Sequence, residues 1–201
     1  MYNTKTATIN NEEFNSNYIP VGINDNITLK EVSVEKSSQG KDFLRVTFEN
    51  EAGQTAESAE WKNEKNMWVK TDADLQNKDN QQFGRIIQLI NCFTTTPDVE
   101  INSFDEMIKW VKGILDPFIK DKKKLRLKVI YNKNGYTQVS KYGTYVEPMD
   151  VTESQIKLFK NDLLERPVKA DAEKPADPLA TNPIKVDTPV TETGDINELP
   201  F

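Results

Sequence analysis

The spacing of apolar residues along this chain goes from two to nearly four, returns to two, and is then lost. Leu44, Val46 and Phe48 alternate with Phe43, Arg45 and Thr47, the period of a half-buried strand. Before it, residues 26–35 are rich in β-formers, with Ile27, Leu29, Val32 and Val34 apolar. The phase changes between Leu29 and Val32, which predicts a bulge or a sharp bend. Ser37-Ser38-Gln39-Gly40-Lys41 is the expected turn between these strands. Residues 49–54, with Gly53, turn again, and Thr55–Trp61 is expected as a third, more polar strand. Residues 62–80 are hydrophilic apart from Met67-Trp68-Val69, and a long loop is expected there.

From Gln81 the period changes. Phe83, Ile86, Ile87, Ile90 and Phe93 fall on one helical face, and residues 94–97 end that helix. Ser103 and Glu106 have the spacing of a capping box. They open a second helix with Phe104, Met107, Ile108, Val111 and Leu115 inward and Pro117 near its end. Leu125, Leu127, Val129 and Tyr131 then alternate with Arg126, Lys128 and Ile130. Asn134-Gly135 is a hairpin signal, with residues 136–147 as the returning strand. A final helix is expected from Thr152, with Gln155 completing a capping box, to about Glu165; its apolar face is Ile156, Phe159 and Leu163. Beyond Arg166-Pro167 the pattern disappears. Five of the ten prolines lie in the last 34 residues, with no Trp or Tyr, so this segment is expected to be disordered. The predicted organisation is an N-terminal extension over residues 1–20, a folded domain over 21–165 and a tail over 166–201.

Composition changes the picture mainly by exclusion. The net charge is -6, but from Val168 onward seven acidic residues face three lysines, so the folded part is nearly neutral. There is no histidine and one cysteine, Cys92. That removes Ser-His-Asp and Cys-His nucleophiles, most zinc sites and any disulfide. Asp72, Asp74 and Asp79 do not form a calcium loop, since Asn77 and Phe83 stand where the turn glycine and bidentate glutamate are needed. Pro97-Asp98 lacks a following Glu-x-Lys, because the lysine after Glu106 is Lys109. No phosphate-cradling glycine loop occurs. The expectation is no catalytic residue, no metal, no cofactor and no enzyme activity. No apolar run approaches the ~20 residues of a membrane span, and residues 1–20 lack a signal-peptide core, so a soluble cytoplasmic protein is expected.

Three strands, a helical insertion and a hairpin follow the order of an OB-fold, a five-stranded barrel with its helix between strands three and four. The fold class expected is therefore mainly β with inserted helices (α+β): an OB-like barrel, a C-terminal helix and a disordered tail. The chain ends Gly194-Asp195-Ile196-Asn197-Glu198-Leu199-Pro200-Phe201. This resembles the acidic tip of bacterial and bacteriophage single-stranded-DNA-binding proteins, in which a disordered tail finishes with carboxylates, an apolar residue and Phe. The resemblance rests on the tip, the tail composition and the strand order. It implies that Asp195, Ile196, Glu198, Leu199, Pro200 and Phe201 dock onto replication proteins such as a helicase, polymerase or primase. Asn197 interrupts the acidic run, which implies a weaker electrostatic contribution. A terminal Phe joins a large apolar ring to a free carboxylate, and a pocket with a cationic rim holds both.

Single strands are held by cations along the phosphates and aromatic faces under the bases. Phe43 and Arg45 share the expected outer face of strand two. Trp61 with Lys62, and Trp68 with Lys70, interleave indoles with lysines. Arg126 and Lys128 share the outer face of strand four. The hairpin tip holds Lys133, flanked by Tyr131 and Tyr136, and Lys141 and Tyr142 follow on strand five. Tyr131 is in phase with the core and stays out of the site. The function these residues imply is sequence-tolerant single-stranded-DNA binding in replication, recombination and repair. The alternative is a protein-binding adaptor that uses the same barrel and tail without touching DNA. The sequence leaves the oligomeric state open.

Overall fold

The computed structural model describes residues 17–167. The chain divides into a unit Met1–Pro167 and a unit Val168–Phe201; most of the expected N-terminal extension, the tail and its docking tip lie outside the described residues. The described part is mainly β, with six strands in one antiparallel sheet and two helices inserted between the third and fourth strands. None of its helices is long and apolar enough to cross a membrane.

β1 (Gly22–Lys36), β2 (Asp42–Glu49) and β3 (Thr55–Trp61) form the first half of the sheet, and β4 (Leu125–Tyr131), β5 (Thr137–Val139) and β6 (Val146–Pro148) the second. β1 serves both halves. Residues 22–27 pair with β4, and residues 28–36 pair with β2. Its pairing is irregular where the apolar phase shifts. Asn26 takes a left-handed φ of 58°, which asparagine tolerates, and the register with β2 slips between Leu29 and Glu31. The order is β3-β2-β1-β4-β5, with β6 on β4. Among the described residues no ladder joins β3 to β5, so the sheet is not closed into the expected barrel by backbone pairing.

The returning strand is split. β5 and β6 both pair with β4, but residues 140–145 swing away between them, leaving Lys128 N bonded to Tyr145 O and Ser140 N bonded to Lys128 O. α1 (Asp72–Ile90) begins well before the expected Gln81. Thr71 accepts from Asp74 N while the Asp74 carboxylate accepts from Thr71 N, a complete capping box inside the segment expected as loop. α2 (Phe104–Leu115) starts at Ser103 as expected, although Glu106 reaches back to Asn102 N. Both helices lay their apolar faces on the sheet. Ile86, Leu89, Ile90, Ile108, Val111 and Leu115 form one core with Ile27, Leu29, Leu44, Phe48, Leu125, Leu127 and Val129.

The expected C-terminal helix is absent. Residues 151–167 run across β4 without regular structure, because side chains capture the backbone groups a helix would pair. Glu147 accepts from Gln155 N, Asp162 from Phe159 N, and Lys128 donates to Lys157 O. Ile156 is the buried anchor of this segment; Phe159 and Leu163 remain substantially exposed.

Candidate nucleic-acid interface

Pairing register places Phe43 directly opposite Trp61 on the outer face of the sheet. The indole lies flat on the phenyl ring, centroids 4.1 Å apart, and Arg45 sits 5.5 Å from the same ring. Phe43 is therefore buried rather than open to a base, while Trp61 keeps 42% of its surface exposed. Arg45 is held by Glu35 at 3.1 Å and Glu57 at 3.0 Å, and Glu31 shares that face. Carboxylates thus outnumber cations in the middle of the outer face, and Phe43 has no open face to offer, a departure from the expected Phe43–Arg45 platform.

The edge beside Trp61 differs. An open cleft of about 840 Å³ lies between the end of β3, one side of α1 and residues 141–144. Glu60 forms its floor. Its buried carboxylate accepts from Arg85 Nη2 at 3.0 Å and Gln82 Nε2 at 2.9 Å, and lies 3.6 Å from Lys141 Nζ. Lys141 also donates to Ala59 O at 2.6 Å, spanning the gap to β3. Lys78, Gln81 and Gln88 line the helical wall, and Tyr142, 65% exposed, stands on the loop wall. Tyr145 locks loop to helix, its hydroxyl donating to Arg85 O and its amide to Gln88 Oε1. Burial pushes its phenol far up from its usual range, with the Glu60 charge adding to the effect, so it stays a neutral donor. Two exposed aromatic faces, three cations and several amides thus surround a single carboxylate.

Trp68 is the most exposed of the described large apolar side chains, at 84%, with Met67 beside it at 72%. The loop that carries them is held firmly. Asn66 and Val69 exchange backbone hydrogen bonds, and Asn66 Oδ1 accepts from Trp68 N and Val69 N. Buried Val69 anchors the turn. Lys70 is exposed next to it, and Lys62 lies on the rim of a smaller pocket between α1 and α2.

The remaining expected contacts disperse. Arg126 is tied to Asp25 at 2.7 Å and Glu147 at 2.8 Å; these bonds raise its pKa further and occupy the guanidinium. Lys128, expected on an outer face, is completely buried under residues 156–163, which corrects its assignment as a DNA contact. Lys133 and Tyr136 are exposed at the hairpin but do not line the cleft. Cys92 is buried and its thiol is pushed up to about 12 by desolvation, so it is unreactive.

Of the expected residues, the cleft unites Trp61, Lys141 and Tyr142. It adds Glu60, Lys78, Arg85 and the glutamines, which sequence reasoning missed. Their signal was available: Lys78, Gln81, Arg85 and Gln88 make a polar stripe at helical spacing beside the apolar face of α1. The sequence matches no protein-family model and no curated protein.

Proposed function

We propose that this chain is a sequence-tolerant single-stranded-DNA-binding protein whose groove is the cleft between β3, α1 and residues 141–144. The observation that carries the reading is the meeting of Trp61 and Tyr142 with Lys78, Arg85 and Lys141 around one cleft. Aromatic faces stack on any base, and cations follow the phosphates without reading sequence. Trp68, held out on its constrained loop, extends the stacking surface. The sheet is read as an OB-like barrel. β1 is shared by both halves, and Lys141 bridges to Ala59 where a barrel would close. In this reading the protein is non-enzymatic and works inside the cell in replication, recombination and repair. Its tip, from Asp195 to Phe201, recruits helicase, polymerase or primase.

The adaptor reading draws on a different observation. Leu158, Phe159, Leu163 and Leu164 are all exposed on the segment that precedes the tail, and the central outer face of the sheet is acidic. Titrating the protein with oligo-dT and with matched duplex, while following tryptophan fluorescence, separates the two. Quenching by oligo-dT alone, weakening as salt rises, supports the groove. No binding to either ligand favours the adaptor.

A further inference from the structure

We infer that residues 156–164 brace the cleft loop 141–144 through the buried ammonium of Lys128, so that Phe159 and Asp162 are positioning residues for Tyr142. The inference rests on the proposed role of the cleft.

Lys128 projects from β4 into a site with no exposed surface. Its Nζ donates to Tyr142 O at 2.9 Å, Lys157 O at 3.0 Å and Asp162 Oδ2 at 3.2 Å. An ammonium has three protons, and here each has an acceptor. One acceptor belongs to the cleft loop and two to the crossing segment. The cation therefore ties the backbones of both together, and separating them would leave a buried charge short of partners.

A second contact acts on the same loop. Phe159 lies under Gly143, which adopts a left-handed φ of 63°; a Cβ at this position would come within 2.6 Å of Phe159 Cε2. The phenyl ring is also 4.5 Å from Lys128 Nζ, so it seals the ammonium from water while supporting the loop. The segment is fixed at both ends. Gln155 N donates to Glu147 Oε2 at 2.9 Å, and Tyr131 N donates to Leu163 O at 2.8 Å. Between these points Asp162 Oδ2 accepts from Phe159 N at 2.8 Å, orienting carboxylate and ring as a unit. Tyr142 reaches solvent from a loop whose carbonyl and glycine rest on this brace. Its ring can hold a base only where the brace sets it.

The full-length protein is titrated with oligo-dT. Phe159→Ala is expected to bind about tenfold more weakly, the scale of one lost base stack. In a Tyr142→Ala background it should add nothing, because its effect passes through Tyr142. Gly143→Ala, which drives a methyl group into the same ring from the loop side, should weaken binding in the same direction. Wild-type affinity in Phe159→Ala, or a full additional loss on top of Tyr142→Ala, overturns the inference. If the wild type does not bind oligo-dT, the functional reading fails, and hydrogen exchange then tests the brace separately. Faster exchange at the hydrogen-bonded amides of Tyr142 and Tyr145 in Phe159→Ala, with β2 unchanged, supports it. Unchanged exchange there refutes it.

Discussion

Trp61 covers Phe43 with the two ring planes only 16° from parallel, so the rings that lie side by side in the pairing register have different duties. Phe43 is buried support, and Trp61 is the face left open. Trp61→Ala should weaken oligo-dT binding by about 1–3 kcal/mol while the chain still folds. Phe43→Ala should instead lower the unfolding free energy in urea by about 3 kcal/mol, the usual cost of emptying a buried aromatic site. Equal effects of both substitutions on binding and stability would remove the distinction.

Glu60 restrains the cations it organises. Arg85 and Lys141 both turn toward its carboxylate, which opposes an incoming phosphate. Glu60→Gln keeps a hydrogen-bonding group in place and removes the charge. The variant should bind oligo-dT more tightly, and the slope of log affinity against log salt should steepen by about 0.7 for each further phosphate neutralised. An unchanged slope would mean that phosphates do not approach Arg85 and Lys141.

Alternation made β2 and β4 legible, and the phase shift near Leu29 marks a true register slip in β1. The first two turns of α1 were not legible. Residues 72–81 carry a single large apolar residue, Leu75, and the signal that marks the helix start is the Thr71–Asp74 box. The last expected helix failed for the opposite reason. Ile156, Phe159 and Leu163 do have helical spacing, but Glu147, Lys128 and Asp162 offer their backbone groups better-placed partners. Tertiary bonds overrode the local pattern.

Lys128 carries the same lesson for the site. On a strand with one solvated face it reads as an outward cation. Ile130, an apolar residue two positions on and also buried, was the sign that this face is covered too. Spacing reveals which residues share a face, whereas what lies over that face depends on chain far away in sequence. The cleft was half visible for this reason: Trp61, Lys141 and Tyr142 stood out by type, but their meeting with Arg85 required the fold.

Acid should loosen the junction between β6 and the crossing segment. Burial pushes the Glu147 carboxyl up, but hydrogen bonds from Ser154, the Gln155 amide and Arg126 outweigh it and hold the pKa below its usual 4.5. A carboxyl lowered in the folded state adds stability above its unfolded value, and that stability is lost as pH falls through the lowered value. Glu147→Gln should therefore be less stable than wild type at pH 7 in urea. The gap should narrow below about pH 4.5. A gap that stays constant into acid would show that charge at this position contributes nothing.

Trp68 provides the sharpest separation between stability and binding. An indole 84% exposed contributes little to the core, so Trp68→Ala should change the unfolding free energy in urea by no more than expected of a surface site, about 0.5 kcal/mol. A protein that only needed to fold would gain nothing from holding such a residue in water on a turn fixed by Asn66. If single strands stack there, the same substitution should weaken oligo-dT binding by about 1–3 kcal/mol. Asn66→Ala should then weaken it as well without touching the ligand, because it removes the side-chain bonds to Trp68 N and Val69 N that set the loop. Loss in the first variant and full retention in the second would mean that the indole binds from a freely moving loop. Retention in both would confine the groove to the cleft at Trp61.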